Sequence, residues 1–247
     1  MSEMLEVRNV SKSFDGVAAN RHISLVVPKG AIVGLIGPNG SGKTTLFNSI
    51  VGHHAIDEGS IRFERREISR LRTPQIARLR LIRTFQHTRV YRAMTCLDNM
   101  LISAPPARRG VAALFERIDE SVAERAHVLL RFVALEQKCD EAAGSLSFGQ
   151  QKLLELAMAL MAQPKLLLLD EPTAGINPTL INVLIDRLKR INADFGVTLL
   201  IIEHNIRAIT SLAQRIYCLA HGELLTDDTP ERLVNDPRVI DAYLGAT

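Results

Sequence analysis

Residues Ala31-Ile32-Val33-Gly34-Leu35-Ile36 carry no polar side chain, and they run straight into Gly37-Pro38-Asn39-Gly40-Ser41-Gly42-Lys43-Thr44. A run that is apolar on both faces belongs inside a sheet covered on each side, the pattern of a parallel strand. The segment after it satisfies G-x-x-x-x-G-K-[ST] and leads into a helix-like stretch, Thr44 to Val51. In that strand–loop–helix setting, glycines at 37, 40 and 42 let the backbone wrap tightly with its N–H groups pointing inward. The helix N-terminus that follows adds partial positive charge, so the loop is suited to phosphate oxygens. Lys43 supplies a point charge for β- and γ-phosphates, and the Thr44 hydroxyl is an oxygen ligand for Mg²⁺. The cradle predicted to bind nucleotide comprises Gly37, Pro38, Asn39, Gly40, Ser41, Gly42, Lys43, Thr44 and Thr45.

The same kind of run returns at Leu166 to Leu169 and at Thr198 to Ile202, with a helix-like stretch near Thr179 to Ala193 between them. Strands alternating with helices in this order predict an α/β fold around a parallel sheet. Leu5-Glu6-Val7-Arg8-Asn9-Val10 and Ile61-Arg62-Phe63-Glu64 alternate instead, as half-buried strands do, so two kinds of strand coexist. From about Ala77 to Leu160 the pattern is mainly helical, with a long amphipathic run near Arg117 to Phe132, which places a helical insertion in the middle of the fold. Pro and Gly are scattered as turn punctuation, and no repeat or low-complexity tract suggests a linker between independent modules.

Leu166-Leu167-Leu168-Leu169 ends in Asp170-Glu171. In a parallel sheet the ligand crevice lies at the carboxyl ends of the strands, so these two acids are expected beside the phosphate loop. Asp170 would hold Mg²⁺, directly or through a water, while Glu171 would orient and polarise the water that attacks a γ-phosphate. Ser147-x-x-Gln150 reads as a capping box opening the apolar-periodic run Leu153, Leu156, Ala157, Leu160, which puts Ser147 and the Gly149 N–H at a positive helix end.

Chain length and composition narrow the setting. With 247 residues, 47% of them hydrophobic, the chain can bury a sizeable core without disulfides or a structural metal. Its longest aliphatic stretches fall well short of the roughly 18–20 residues a membrane-spanning helix needs. The acidic start, Met1-Ser2-Glu3-Met4-Leu5-Glu6, lacks the basic and apolar regions of a signal peptide, so a cytoplasmic address is expected. Cys96, Cys139 and Cys218 are an odd, widely spaced set, which fits reduced thiols better than disulfides or a zinc site.

Leu146-Ser147-Phe148-Gly149-Gln150 closely resembles the signature sequence of ATP-binding-cassette (ABC) ATPases, about twenty residues before Asp170-Glu171 as in that family. Phe14 resembles the aromatic residue that stacks on adenine, and Gln86 in Thr84-Phe85-Gln86 resembles the Q-loop glutamine. Ala174-Gly175-Ile176-Asn177 resembles the D-loop and His204, after Leu199-Leu200-Ile201-Ile202-Glu203, the switch histidine. The resemblance covers Leu5 to the C-terminus. It implies a P-loop NTPase (RecA-like) core with a mainly parallel sheet, an N-terminal antiparallel β subdomain and an inserted α-helical subdomain. The ATP-binding core would span about 5–87 and 163–247, and the helical subdomain about 88–162, of a single domain over 5–247. It further implies ATP hydrolysis with Glu171, His204 and Gln86 as catalytic residues, Mg²⁺ on Thr44, Gln86 and Asp170, and Ser147, Gly149 and Gln150 acting in trans on the nucleotide of a second cassette. Phe148 departs from the family, which commonly has Gly there.

Only 60 positions separate Gln86 from Leu146, which favours a transporter cassette over repair and chromosome proteins with large insertions there. Separate permease subunits, a substrate-binding protein and a position on the cytoplasmic face of the inner membrane are then implied, with no nucleic-acid partner. Arg83-Thr84-Phe85-Gln86-His87, Leu97-Asp98-Asn99-Met100-Leu101 and the ending Asp236 to Gly245 look like the ATPase subunits of branched-chain amino acid importers. Cassettes for urea, short amides or aromatic acids share much of this vocabulary, and a soluble nucleic-acid-associated ABC ATPase is the alternative from another class. That alternative rests on Arg62 to Arg92, where ten arginines and two acids give a net +8 against −5 for the rest of the chain. Within the resemblance, some of those arginines would face permease or anionic headgroups.

Overall fold

A computed structural model describes residues 2–84, 90–105 and 119–244. Strand β1 (Glu3–Phe14) pairs antiparallel with β2 (Val17–Pro28), Val7 facing Leu25 and Leu5 facing Val27. After β3 (Ile32–Ile36) and helix α1 (Lys43–Ile50), β4 (Glu58–Phe63) returns to the other edge of β1, with Leu5 opposite Phe63 and Val7 opposite Ile61, and β5 (Arg66–Glu67) closes this four-stranded sheet. The alternation seen in the sequence is real. Leu5, Val7, Leu25, Val27, Ile61 and Phe63 share one buried face, in one core with Leu46, Phe47 and Ile50 of α1. Of the charged residues beside them, Arg8, Arg62 and Glu64 are exposed, while Glu6, between Leu5 and Val7, is buried and paired with Arg8.

The second sheet has six strands in the order β10-β9-β3-β8-β7-β6. These are β6 (Leu81–Arg83), β7 (Leu166–Asp170), β8 (Thr198–Ile202), β9 (Arg215–Ala220) and β10 (Glu223–Asp228) around β3. All neighbours are parallel except β9 and β10. Every residue of β3, β7 and β8 is buried, which is why these strands read as unbroken apolar runs. Tyr217 of β9 reaches across to the antiparallel sheet, where its hydroxyl accepts from the Val26 N–H and donates to the Val26 carbonyl, both at 3.1 Å. The α/β architecture, a mainly parallel sheet with an antiparallel one at the N-terminus, is the one expected. Two corrections apply. Leu81–Arg83 is a strand inside a stretch read as helical, because three residues flanked by helix-like sequence give too short a pattern to show. The hairpin of β9 and β10 was not anticipated either.

The remaining helices are α2 (Thr73–Arg78), α3 (Cys96–Ile102), α4 (Glu120–Phe132), α5 (Phe148–Met161), α6 (Pro178–Phe195), α7 (Ile206–Leu212), α8 (Pro230–Leu233) and α9 (Pro237–Leu244). Contacts divide the chain into two compact units, one of residues 1–83, 165–174 and 188–247 holding both sheets, the other of 84–164 and 175–187. In the helical unit, α4 buries Ala126, Leu129 and Leu130, and α5 buries Leu153, Leu154, Leu156, Ala157, Leu160 and Met161. None of the described helices is long and apolar enough to cross a membrane.

Candidate active site

Three adjacent strands of the parallel sheet end at one level. The register sets Leu35 beside Ile202 and Asp170 beside the same Ile202, so the residues just past β3, β7 and β8 emerge together. Those residues are Gly37 of the phosphate loop, Glu171, and Glu203-His204. The strand ends thereby bring together a glycine-rich loop, two acids and a histidine that lie far apart in sequence.

The loop is closed over its own lysine. Lys43, buried at the start of α1, donates from Nζ to the carbonyls of Gly37 (2.8 Å) and Pro38 (2.9 Å) and to Ser41 Oγ (3.3 Å). Burial holds its pKa below the ordinary lysine value, while the nearby carboxylates of Glu171 and Asp170 pull the other way. An ammonium desolvated in this way gains most from a multiply charged anion. Asn20 of β2 ties the far end of the loop by donating to the Gly42 carbonyl at 3.1 Å.

Asp170 and Glu171 turn to different partners. Asp170 is buried and its Oδ2 meets Arg83 Nη2 at 2.6 Å, while Arg83 Nη1 donates to Asn48 Oδ1 of α1 at 2.5 Å and the guanidinium lies over the Phe47 ring. Asp170 Oδ1 is buried without a hydrogen-bond partner in the structure. Glu171 has a left-handed backbone (φ 51°), and its Oε1 lies 2.6 Å from His204 Nε2. A carboxylate can only accept, so Nε2 carries the proton in that pair. The buried Glu203 carboxylate accepts from the Thr173 N–H (2.8 Å) on one oxygen, and from the N–H groups of His204 (3.0 Å) and Asn205 (3.1 Å) on the other. One acid therefore pins both the turn after β7 and the turn after β8.

Arg83 and Glu203 have no local sequence signal: Arg83 is one of ten arginines between Arg62 and Arg92, and Glu203 is an acid before a histidine; only the fold shows Arg83 paired with Asp170 and Glu203 buried at the strand ends. Phe14 ends β1, 40% exposed, with His54 edge-on at 5.1 Å and Lys12 Nζ 5.2 Å from its ring centre. Gln86 lies outside the described residues.

In the helical unit, Ser147 caps α5 as expected. Its Oγ accepts from the Gln150 N–H at 3.3 Å, and Gln150 Oε1 accepts from the Ser147 N–H at 3.0 Å. Gly149 packs closely on α6: a Cβ there would run into the Leu180 side chain, which would have to move aside. Phe148 is 49% exposed and lies against Gly175, whose Cβ position is 3.0 Å from its ring.

A glycine-rich loop between a parallel strand and a helix, with an acid pair at the end of a second strand, defines a P-loop NTPase. Residues 20–174 match the family described as ABC transporter, and residues 223–247 match the family described as branched-chain amino acid ATP-binding cassette transporter. The chain is 38% identical to the probable branched-chain amino acid transport ATP-binding protein LivG of Archaeoglobus fulgidus, over 99% of this chain and 96% of that protein. It superposes with a TM-score of 0.89 and 34% identity on the ADP conformation of an ATP-binding cassette of an ABC transporter, covering 99% of this chain and all of that one. A dimeric post-hydrolysis cassette bound to ADP and Pi gives a TM-score of 0.78 at 26% identity, over 92% of this chain and 99% of that one. The chain belongs to the ABC transporter family, as one of its ATP-hydrolysing cassettes.

Proposed function

We propose that this cassette binds ATP on residues 37–45 and hydrolyses it to drive an importer of branched-chain amino acids. The observation that carries the hydrolytic role is the Glu171–His204 contact of 2.6 Å at the strand ends beside the phosphate loop. Glu171 accepts the proton of the attacking water, and His204, donating from Nε2, holds that carboxylate in line. Lys43 turns from the loop carbonyls to the β- and γ-phosphate oxygens and balances charge that builds up there. Glu203 keeps the turns carrying Glu171 and His204 at fixed separation.

The oxygen donors suit Mg²⁺, and the buried, unpartnered Asp170 Oδ1 fits a hard cation or its water. Asp170, Thr44 and Gln86 would hold the ion, which supplies further neutralisation of the phosphate oxygens. Phe14, 40% exposed at the end of β1, receives the adenine. Ser147, Gly149 and Gln150 act on the nucleotide of a second cassette, identical or a sister subunit. The dimeric relative bound to ADP and Pi supports this pairing.

The choice of cargo is supported by the match of residues 223–247 and by the full-length likeness to LivG. Two permease subunits and a substrate-binding protein complete the assembly, with this chain peripheral on the cytoplasmic side of the inner membrane. Arg70, Arg72 and Arg78 are exposed in the segment leading to Gln86 and would face permease or headgroups. The test is detergent extraction from the host followed by reconstitution. Two polytopic membrane proteins should co-purify, and leucine-loaded binding protein should stimulate ATPase activity. Stimulation by urea- or amide-loaded binding protein instead would reassign the cargo, and stimulation by DNA or RNA without permeases would overturn the transport role.

A further inference from the structure

The phosphate loop is gripped by a residue from the far end of the chain. The Gly37 N–H donates to the Tyr243 hydroxyl oxygen at 2.9 Å, across 206 positions of sequence. Gly37 has a φ of 147°, and a Cβ there would run into the Leu219 carbonyl of β9 and come within 2.7 Å of Ser41 Oγ, so this residue is closely confined. Its two backbone groups have different holders, the N–H bonding to Tyr243 and the carbonyl to Lys43 at 2.8 Å.

The two holders differ in what else they can do. The Lys43 ammonium leaves the carbonyls of Gly37 and Pro38 when phosphate enters, whereas the Tyr243 hydroxyl is not drawn by phosphate into giving up the Gly37 N–H. Burial pushes the Tyr243 phenol up to about 12, so it stays neutral and in place at any ordinary pH. The helix that delivers it is well fastened. Arg238, near the start of α9, donates to Thr226 Oγ1 of β10 at 2.9 Å and to Asp236 at 2.7 Å, and Val239 is buried. Between α9 and the loop lies a cavity of about 280 Å³, lined by Pro38, Asn39, Gly40 and Ser41 of the loop, by His221, and by Asp241 and Ala242 of α9. Close packing therefore does not join residues 38–41 to α9, and the Tyr243 hydrogen bond at Gly37 ties the helix to the loop.

We propose that Tyr243 is a positioning residue for nucleotide binding, fixing Gly37 so that the phosphate loop keeps its receptive shape once Lys43 has turned to the phosphates. This rests on the reading of residues 37–45 as the nucleotide cradle. The C-terminal helix thereby takes part in setting ATP affinity.

Tyr243→Phe keeps the ring and removes only the hydroxyl. Calorimetric titration of the purified chain with MgADP should show Kd raised about five- to tenfold, the scale of one lost hydrogen bond. In steady state the change should appear mainly in KM for ATP rather than in kcat. A role in folding alone would lower the melting temperature of the nucleotide-free protein and leave Kd where it was, so an unchanged Kd overturns the proposal, as does a loss confined to kcat. Lys43→Ala serves as the reference. If the wild-type chain fails to bind MgADP, or Lys43→Ala binds it equally well, the cradle reading itself fails. If both behave as expected and Tyr243→Phe binds like wild type, only the role of Tyr243 fails.

Discussion

The strand ends of the sheet unit and the start of α5 in the helical unit both carry the polar groups proposed to act on phosphate, but they are held by different means. At the strand ends, β3, β8 and β7 fix position through continuous backbone pairing, and buried or half-buried side chains complete the geometry: Arg83 on Asp170, Glu203 on three N–H groups, His204 on Glu171. At the start of α5, the Ser147 and Gln150 side chains each accept from the other residue's backbone N–H, and the neighbouring Phe148 is half exposed. The proposed chemistry thus sits where substitution of Arg83 or Glu203 leaves a buried group stranded. The proposed partner-facing surface sits on a cap that can be altered at low cost.

The largest expected effect lies at the strand ends. Glu171→Gln should retain ATP binding and lower turnover about 10²–10⁴-fold, the usual contribution of a general base. Nucleotide-binding and phosphate-release assays on the same preparation check this, and near-wild-type turnover would remove Glu171 from its role. Next, Arg83→Met leaves the Asp170 carboxylate buried and unpaired, and should cost about 3–5 kcal/mol in urea unfolding. A loss under 1 kcal/mol would mean that the pair is held by far less than its burial implies.

Glu203→Gln exchanges one accepting oxygen for a donor facing backbone N–H groups. The expected loss is about 1–3 kcal/mol, with turnover falling because the Glu171 and His204 turns lose their common anchor. Unfolding and ATPase assays read the two effects separately. The smallest effect belongs to the cap: Ser147→Ala should cost about 1 kcal/mol and leave MgADP binding by the isolated chain intact. Should Ser147→Ala prove as damaging to the isolated chain as Arg83→Met, the contrast between the two regions would collapse.

This contrast also governs what could be read from the sequence. The phosphate loop, the apolar strands and the Asp170-Glu171 pair are local patterns, each stating its own environment within about ten residues. The Ser147–Gln150 box is likewise local, and it formed as written. Arg83, Glu203 and Tyr243 acquire their places from partners across the fold, at separations of 87, 30 and 206 positions. Nothing in the residues around them says so. Arg83 in particular lies on a three-residue strand inside a helical-looking, strongly basic stretch, and pairing with β7 is what reveals it.

The bond pair from the Tyr217 hydroxyl to Val26 ties the two sheets together at the point where β9 passes β2. Phe14 belongs to the antiparallel sheet and the phosphate loop to the parallel one, so under the proposed roles the same tie that joins the sheets also joins the base site to the phosphate site. A nucleotide held as proposed would bridge the two sheets, base on one and phosphates on the other, so a fragment lacking either part would touch only one of them.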